Sequence, residues 1–217
     1  MFIGHFALGF ALKRAAPRAN LGWLIASVSF LDLVWPIFVL TEIERVEVDQ
    51  GNTVFTPLDF VFYPYSHSLA AALIWSGLFA AVYLVFSKYK TGSVVMAVGV
   101  LSHWILDAIV HRPDLPLYPG SETKMGFGVW DSFPATLFIE IVMFGVGVWL
   151  YSASTKAADR IGKYAYFAFV IFLILVYFAN AFAPPPPNAT AVAIVATLAW
   201  LFPFWAAWFD KHRTPIS

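Results

Sequence analysis

Apolar residues along this chain fall into long runs separated by short polar clusters. Six runs, at about 20–40, 66–87, 92–112, 132–152, 163–182 and 190–209, are each roughly 20 residues long, enough for a helix to cross a hydrocarbon core of about 30 Å. A shorter run, Phe2 to Leu12, reaches only about halfway at ~1.5 Å per residue, which makes it a half-buried or interfacial helix. Lys13 and Arg14 follow this run instead of leading it, so it does not resemble a signal peptide and is expected to be retained. The pattern predicts an all-α polytopic membrane helix bundle: six full transmembrane helices plus a short N-terminal half-buried helix, forming one integral membrane domain over residues 1–217. No internal repeat is visible.

The polar clusters set the expected orientation. Lys13, Arg14, Arg18, Lys88, Lys90, Lys156, Arg160, Lys163, Lys211 and Arg213 fall in alternate connections, and short cytoplasmic connections are enriched in Lys and Arg. Those connections, and the C-terminus, are expected in the cytoplasm. The opposite connections hold Glu42, Glu44, Glu47, Asp49, Asp59, Asp114, Glu122 and Asp131. They are also the long ones, about 41–65 and 113–131, with turn signals at Thr56-Pro57, Tyr63-Pro64, Arg112-Pro113 and Pro119-Gly120. Pro184 to Pro187 predict a stiff extended corner between the last two spans.

Composition narrows the function. The chain is 60% hydrophobic and 12% charged, with a mean hydropathy of +0.75, far from a soluble domain. Its net charge of zero gives no basic excess for a nucleic-acid partner, and membrane lipids are the expected surroundings. With no cysteine, any bound metal must be held by His, Asp or Glu.

Ionisable residues inside spans cost several kcal/mol unless paired, hydrated or bound to a cation. On the third span His103, Asp107 and His111 are spaced four apart, and four residues turn a helix by only about 40° past a full turn, so they form one polar stripe. His103 with Asp107 is a sensible two-ligand step for a borderline divalent ion such as zinc or manganese; His111 could be a ligand, a donor behind the ligands or a substrate contact. The plainer alternative is a hydrogen-bonding stripe between helices.

Ser66 suits a helix cap, which would place His67 in the first turn of the second span. Counted from Lys88, His67 stands about 31 Å up; counted from Lys90, His103 and Asp107 stand about 20 and 26 Å up, so the two groups can meet in the outer half of the membrane. Asp32 lies level with His103, and Pro36 can kink its helix. His5, flanked by Gly4 and Gly9 that permit close helix approach, is within reach of the same place. Asp59 could reach it from the loop. Glu140 is a further intramembrane acid suited to a supporting role or a proton relay. His212 reads as a juxtamembrane anchor.

The order Gly4-His5-Phe-Ala-Leu-Gly9, Phe30-Leu31-Asp32, Tyr65-Ser66-His67-Ser68-Leu69 and Ser102-His103-Trp-Ile-Leu-Asp107 resembles the YdjM-like family of inner-membrane metal-dependent hydrolases. The resemblance implies His5, Asp32, His67, His103 and Asp107 as metal ligands; beside them, Asp59, His111 or Glu140 could serve as general base or orienting group. It makes a metal-dependent hydrolase the leading expectation. The depth of the site and the nearby Arg112 and Lys124, which could meet an anionic headgroup, suggest a lipid or lipid-linked phosphoester as substrate. A proton- or cation-coupled transporter using the same His and Asp residues is the alternative, and a non-catalytic scaffold is a third.

Overall fold

The apolar runs fold as helices because a backbone in lipid must satisfy its own polar groups within the segment. The computed structural model describes residues 1–216. Helix α1 (Ile3–Ala15) is followed by α2 (Leu21–Val28) and α3 (Phe30–Leu40), then by a hairpin of β1 (Arg45–Val48) and β2 (Leu58–Phe62). Next come the short α4 (Pro64–His67), α5 (Leu69–Ser87) and α6 (Lys90–Val110), and a two-residue ladder of β3 (Leu115–Pro116) with β4 (Lys124–Met125). Helices α7 (Phe133–Ser154) and α8 (Arg160–Phe182) flank β5 (Thr155–Ala157). Finally α9 (Ala189–Thr197), a 3-10 turn and α10 (Leu201–Asp210) form one apolar stretch, ending in β6 (Arg213–Pro215), which pairs with β5. Five helical stretches are long and apolar enough to span a membrane, and the bent pair α2–α3 makes a sixth.

Helix α6 sits at the centre, with 56% of its apolar stretch buried, against 22–28% for the other straight spans. Those expose Ile74, Phe86, Phe138, Trp149 and Leu175, as lipid-facing surfaces do. Helix α1 is not interfacial. It extends to Ala15 and is enclosed, with Ile3, His5, Phe6, Ala7 and Phe10 buried against α2, α6 and α7. Two glycines permit that fit: a Cβ on Gly147 would collide with the backbone of Ala7, and one on Gly9 would lie 2.7 Å from Ile25 Cδ1.

The first span is broken by 56° at Ser29, seven residues before Pro36, where a kink was expected; Pro36 lies inside α3. The cause is tertiary. The carbonyl of Val28, which a continuous helix would give to the amide of Asp32, accepts instead from His103 Nδ1 at 2.7 Å. The helix cap is also displaced: Ser68, not Ser66, caps α5 by accepting from the Ala71 amide at 3.1 Å, while Ser66 lies within α4.

The long connections at one end are folded hairpins. At the other end a buried network closes the bundle. Lys13 Nζ donates to Asp210 Oδ2 and to the Ala19 carbonyl, both at 2.7 Å, and Tyr151 donates to Asp210 Oδ1 at 2.7 Å. Nearby, exposed Asp159 caps α8 through the Gly162 amide at 2.9 Å and pairs with His212 at 2.6 Å; the amide foremost, then the imidazole, hold its carboxyl below the usual aspartate range.

Candidate metal centre

The break in the first span, the short α4 and the loop-side half of α6 converge on one point, and α1 brings His5 to it. Asp107 Oδ2 faces His103 Nε2 at 3.1 Å and His67 Nε2 at 3.9 Å. Asp32 Oδ1 faces His67 Nε2 at 3.4 Å and His103 Nε2 at 3.6 Å. On the far side of the Asp107 carboxylate, Oδ1 takes His5 Nε2 at 3.0 Å and the amino nitrogen of Met1 at 2.7 Å. The His5 and His103 rings stack 3.7 Å apart, 4° from parallel. All five residues expected as ligands are thus together, in two overlapping triads: His5, His103, Asp107 and Asp32, His67, His103.

Tautomers follow from the outer nitrogens. A carbonyl can only accept, so His103 Nδ1 carries a proton for Val28. Ser66 Oγ gives its own proton to Glu44 Oε2 at 2.6 Å and accepts from His67 Nδ1 at 2.7 Å. With Nδ1 occupied in both rings, Nε2 is the nitrogen turned to the carboxylate oxygens. His103 Nε2 is fully buried with no hydrogen-bond partner. Nitrogens turned on carboxylate oxygens call for positive charge between them, which a proton or a bound cation supplies. Tetrahedral coordination at about 2.1 Å spaces its donors by ~3.4 Å, a value that these four separations bracket. Two imidazoles and two carboxylates are a donor set suited to a borderline divalent ion, so the residues fit one.

Exposure marks the mouth. The side chain of Asp32 is 43% exposed, whereas those of His67, His103 and Asp107 are at most 4% exposed.

Three supporting residues were not evident in the sequence. Glu44, buried, accepts from the amides of Tyr65 and Ser66 at 2.8 Å as well as from Ser66 Oγ, so a carboxylate fixes His67 through a hydroxyl. Nothing in the local sequence separates Glu44 from the other loop acids. The Val28 carbonyl orients His103 and has no side-chain signature. For Asp114 the one available signal is its spacing, three residues after His111, which the sequence reading did not use. It accepts from His111 Nδ1 at 3.0 Å, from Tyr63 at 2.8 Å and from Arg112 at 3.3 Å. Burial, then the Asp114 charge, pushes the Tyr63 phenol well above its usual range, so it remains a donor.

The other sequence candidates lie around the centre. His111 packs on Trp130 at 4.3 Å. Asp59 pairs with Arg112 Nη2 at 2.5 Å, and no contact joins it to the cluster among the described residues. Arg112, held by Asp59 and Asp114, is already neutralised and poorly placed to receive a headgroup. Glu140 Oε2 accepts from the amides of Phe2 and Gly4 at 2.8 and 3.2 Å, anchoring the first turn of α1 and with it His5, while Oε1 is buried without a partner.

A family model described as YdjM inner membrane protein matches residues 64–185, which contain His67, His103 and Asp107 but not His5 or Asp32. No curated protein and no solved structure matches the chain.

Proposed function

The chain belongs to the YdjM inner membrane protein family, and from the site it carries we propose a membrane-embedded metal-dependent hydrolase. The observation that carries this reading is the buried, unpartnered Nε2 of His103 facing two carboxylates. Asp32, His67, His103 and Asp107 hold the ion, zinc or manganese, and His5 braces the second oxygen of Asp107. The chemistry a divalent ion supplies in such a site is acidification of water and polarisation of a scissile group.

The remaining roles belong to the protein. Glu44 through Ser66, and the Val28 carbonyl, lock the two imidazoles with Nε2 inward. His111, its Nδ1 fixed by Asp114, is the proton-exchanging group; Glu140 positions α1, and Asp59 steadies Arg112. The exposed edge at Asp32, at the end of the bundle that the charge pattern assigns to the outer side, favours a substrate that arrives from the membrane or its outer surface.

Elemental analysis of protein purified without chelators tests this. Wild type is expected to hold zinc or manganese, His103→Ala to lose it, and His111→Gln to retain it. A metal-free wild type overturns the reading. The transporter alternative gains one observation, the broken first span, since discontinuous helices line many transport sites. Cation flux in liposomes that needs Asp32 and Asp107 would favour transport instead.

A further inference from the structure

The first and last spans share an irregularity. The first is broken by 56° at Ser29 into α2 and α3, and the last is interrupted by the 3-10 turn Leu198–Trp200 between α9 and α10. A break, like a 3-10 stretch inside a long helix, marks a place where the helix hinges. The two irregularities adjoin, because Trp200 Nε1 donates to the carbonyl of Leu33, the fourth residue of α3, at 3.1 Å. The halves pair accordingly: α2 packs on α10, and α3 packs on α9.

The two pairs are held differently. Between α2 and α10, a Cβ on Gly22 would lie 2.5 Å from the Pro203 carbonyl, Asn20 Nδ2 donates to the Ala207 carbonyl at 3.2 Å, and the Leu21 amide donates to Asp210 at 2.9 Å. Such backbone contacts fix that half. The α3–α9 pair shows no interlock of this kind among the described residues: the Trp200 indole is its tie, and α9 buries only Ala193.

Helix α3 carries two parts of the centre. Asp32 stands in its first turn, and the amides of Ile43 and Glu44 donate to the Phe38 carbonyl at 2.8 and 3.1 Å, which fastens Glu44 to its far end. Asp32 is the loosest member of the cluster. His67 and His103 face it at 3.4 and 3.6 Å, longer than the ~2.7–2.9 Å of a charge-assisted hydrogen bond, whereas Asp107 takes Met1 and His5 at 2.7 and 3.0 Å. Its backbone is loosely tied as well: the Val28 carbonyl that its amide would use is spent on His103, and Pro36 has no amide to give to its own carbonyl. Positive charge at the centre is therefore what draws Asp32 inward, and α3 with it.

We propose that α3 and α9 form a gate that moves as one unit about Ser29 and Leu198–Trp200, closed when a cation at the centre draws in Asp32 and open when the site is empty. The inference rests on the metal centre proposed above. Closure brings Asp32 to the ion and Glu44 to Ser66 in one motion, so a ligand and the support of His67 arrive together. Opening gives the ion a way in beside α3.

Nitroxide pairs on this cysteine-free chain, read by double electron–electron resonance, test the gate. Leu40 at the end of α3, Val195 on α9, Phe138 on α7 and Ile74 on α5 are all exposed and suit substitution by cysteine. Helix α3 is about 16 Å long, so a tilt of ~20° at Ser29 displaces its end by about 5 Å. Removing zinc with a chelator is expected to shift both the Leu40–Phe138 and the Val195–Phe138 distances by about that amount, and returning zinc to reverse it, while the Ile74–Phe138 reference stays fixed. Asp32→Asn at saturating zinc is expected to keep the ion on His67, His103 and Asp107 and yet show the zinc-free distances. Coincident distances with and without bound zinc overturn the gate and leave the metal centre standing. A shift at Leu40 without one at Val195 overturns the paired motion, and a shift of the reference overturns the hinge. Zinc-bound Asp32→Asn with wild-type distances overturns Asp32 as the latch. Failure of wild type to take up zinc overturns both the gate and the centre.

Discussion

At the residue scale, the centre depends on which nitrogen of each imidazole carries the proton. His67 is set by the chain Glu44, Ser66, His67, in which the serine hydroxyl donates to the carboxylate at 2.6 Å and accepts from the ring at 2.7 Å. Removing the hydroxyl frees the ring to turn and lets the tautomers interconvert. Ser66→Ala should therefore weaken zinc affinity by about 10- to 100-fold in a competition titration, and Ser66→Thr should recover most of it. An unchanged affinity in Ser66→Ala would remove Glu44 and Ser66 from the site. The clustered residues themselves were legible in the sequence because charge and imidazole are so costly within apolar spans that His103, Asp107 and Asp32 stood out against their surroundings. Their supports were not. Glu44 lies in a loop where acids are ordinary, and only folding buries it; Ser66 read as a cap because a serine before an apolar run usually is one.

At the scale of elements, α1 is the least typical piece of the bundle, too short to span yet enclosed by helices that do. Its position depends on backbone contact, because Gly147 on α7 lies directly against the Ala7 backbone and Glu140 on the same helix holds the Phe2 and Gly4 amides. A side chain at Gly147 must push the two helices apart. Gly147→Val should cost about 1–3 kcal/mol in unfolding experiments in detergent. It should also lower zinc affinity, since His5 rides on α1. Gly145, whose Cβ would meet nothing within 4 Å, is the control: Gly145→Val should change stability by no more than about 0.5 kcal/mol. Equal effects at the two positions would mean that the close approach is not what seats α1. The run lengths disclosed six spans, yet the break in the first came at Ser29 and not at Pro36. Proline is a local signal. The true cause is a hydrogen bond to His103, 75 residues away, which no local pattern carries.

On the scale of the whole molecule, the two ends of the bundle are built oppositely. One gathers the His and Asp centre with the β1–β2 and β3–β4 hairpins; the other holds the buried Lys13–Asp210 pair and the β5–β6 ladder. Basic residues in short connections crowd the second end, which by the positive-inside tendency is expected to face the cytoplasm. Since the chain has no native cysteine, single introduced cysteines report this directly. Asp59 is a poor position for one because its carboxylate steadies Arg112, whereas Val54 in the same connection is 66% exposed and bonded to nothing through its side chain. Val54→Cys should react with a membrane-impermeant maleimide on intact spheroplasts. Thr214→Cys, on the exposed β6 strand, should react only after permeabilisation. The reverse pattern would turn the molecule over and place the mouth at Asp32 in the cytoplasmic half. The candidate substrate would then be a lipid of the inner leaflet, even though every distance within the centre stayed the same.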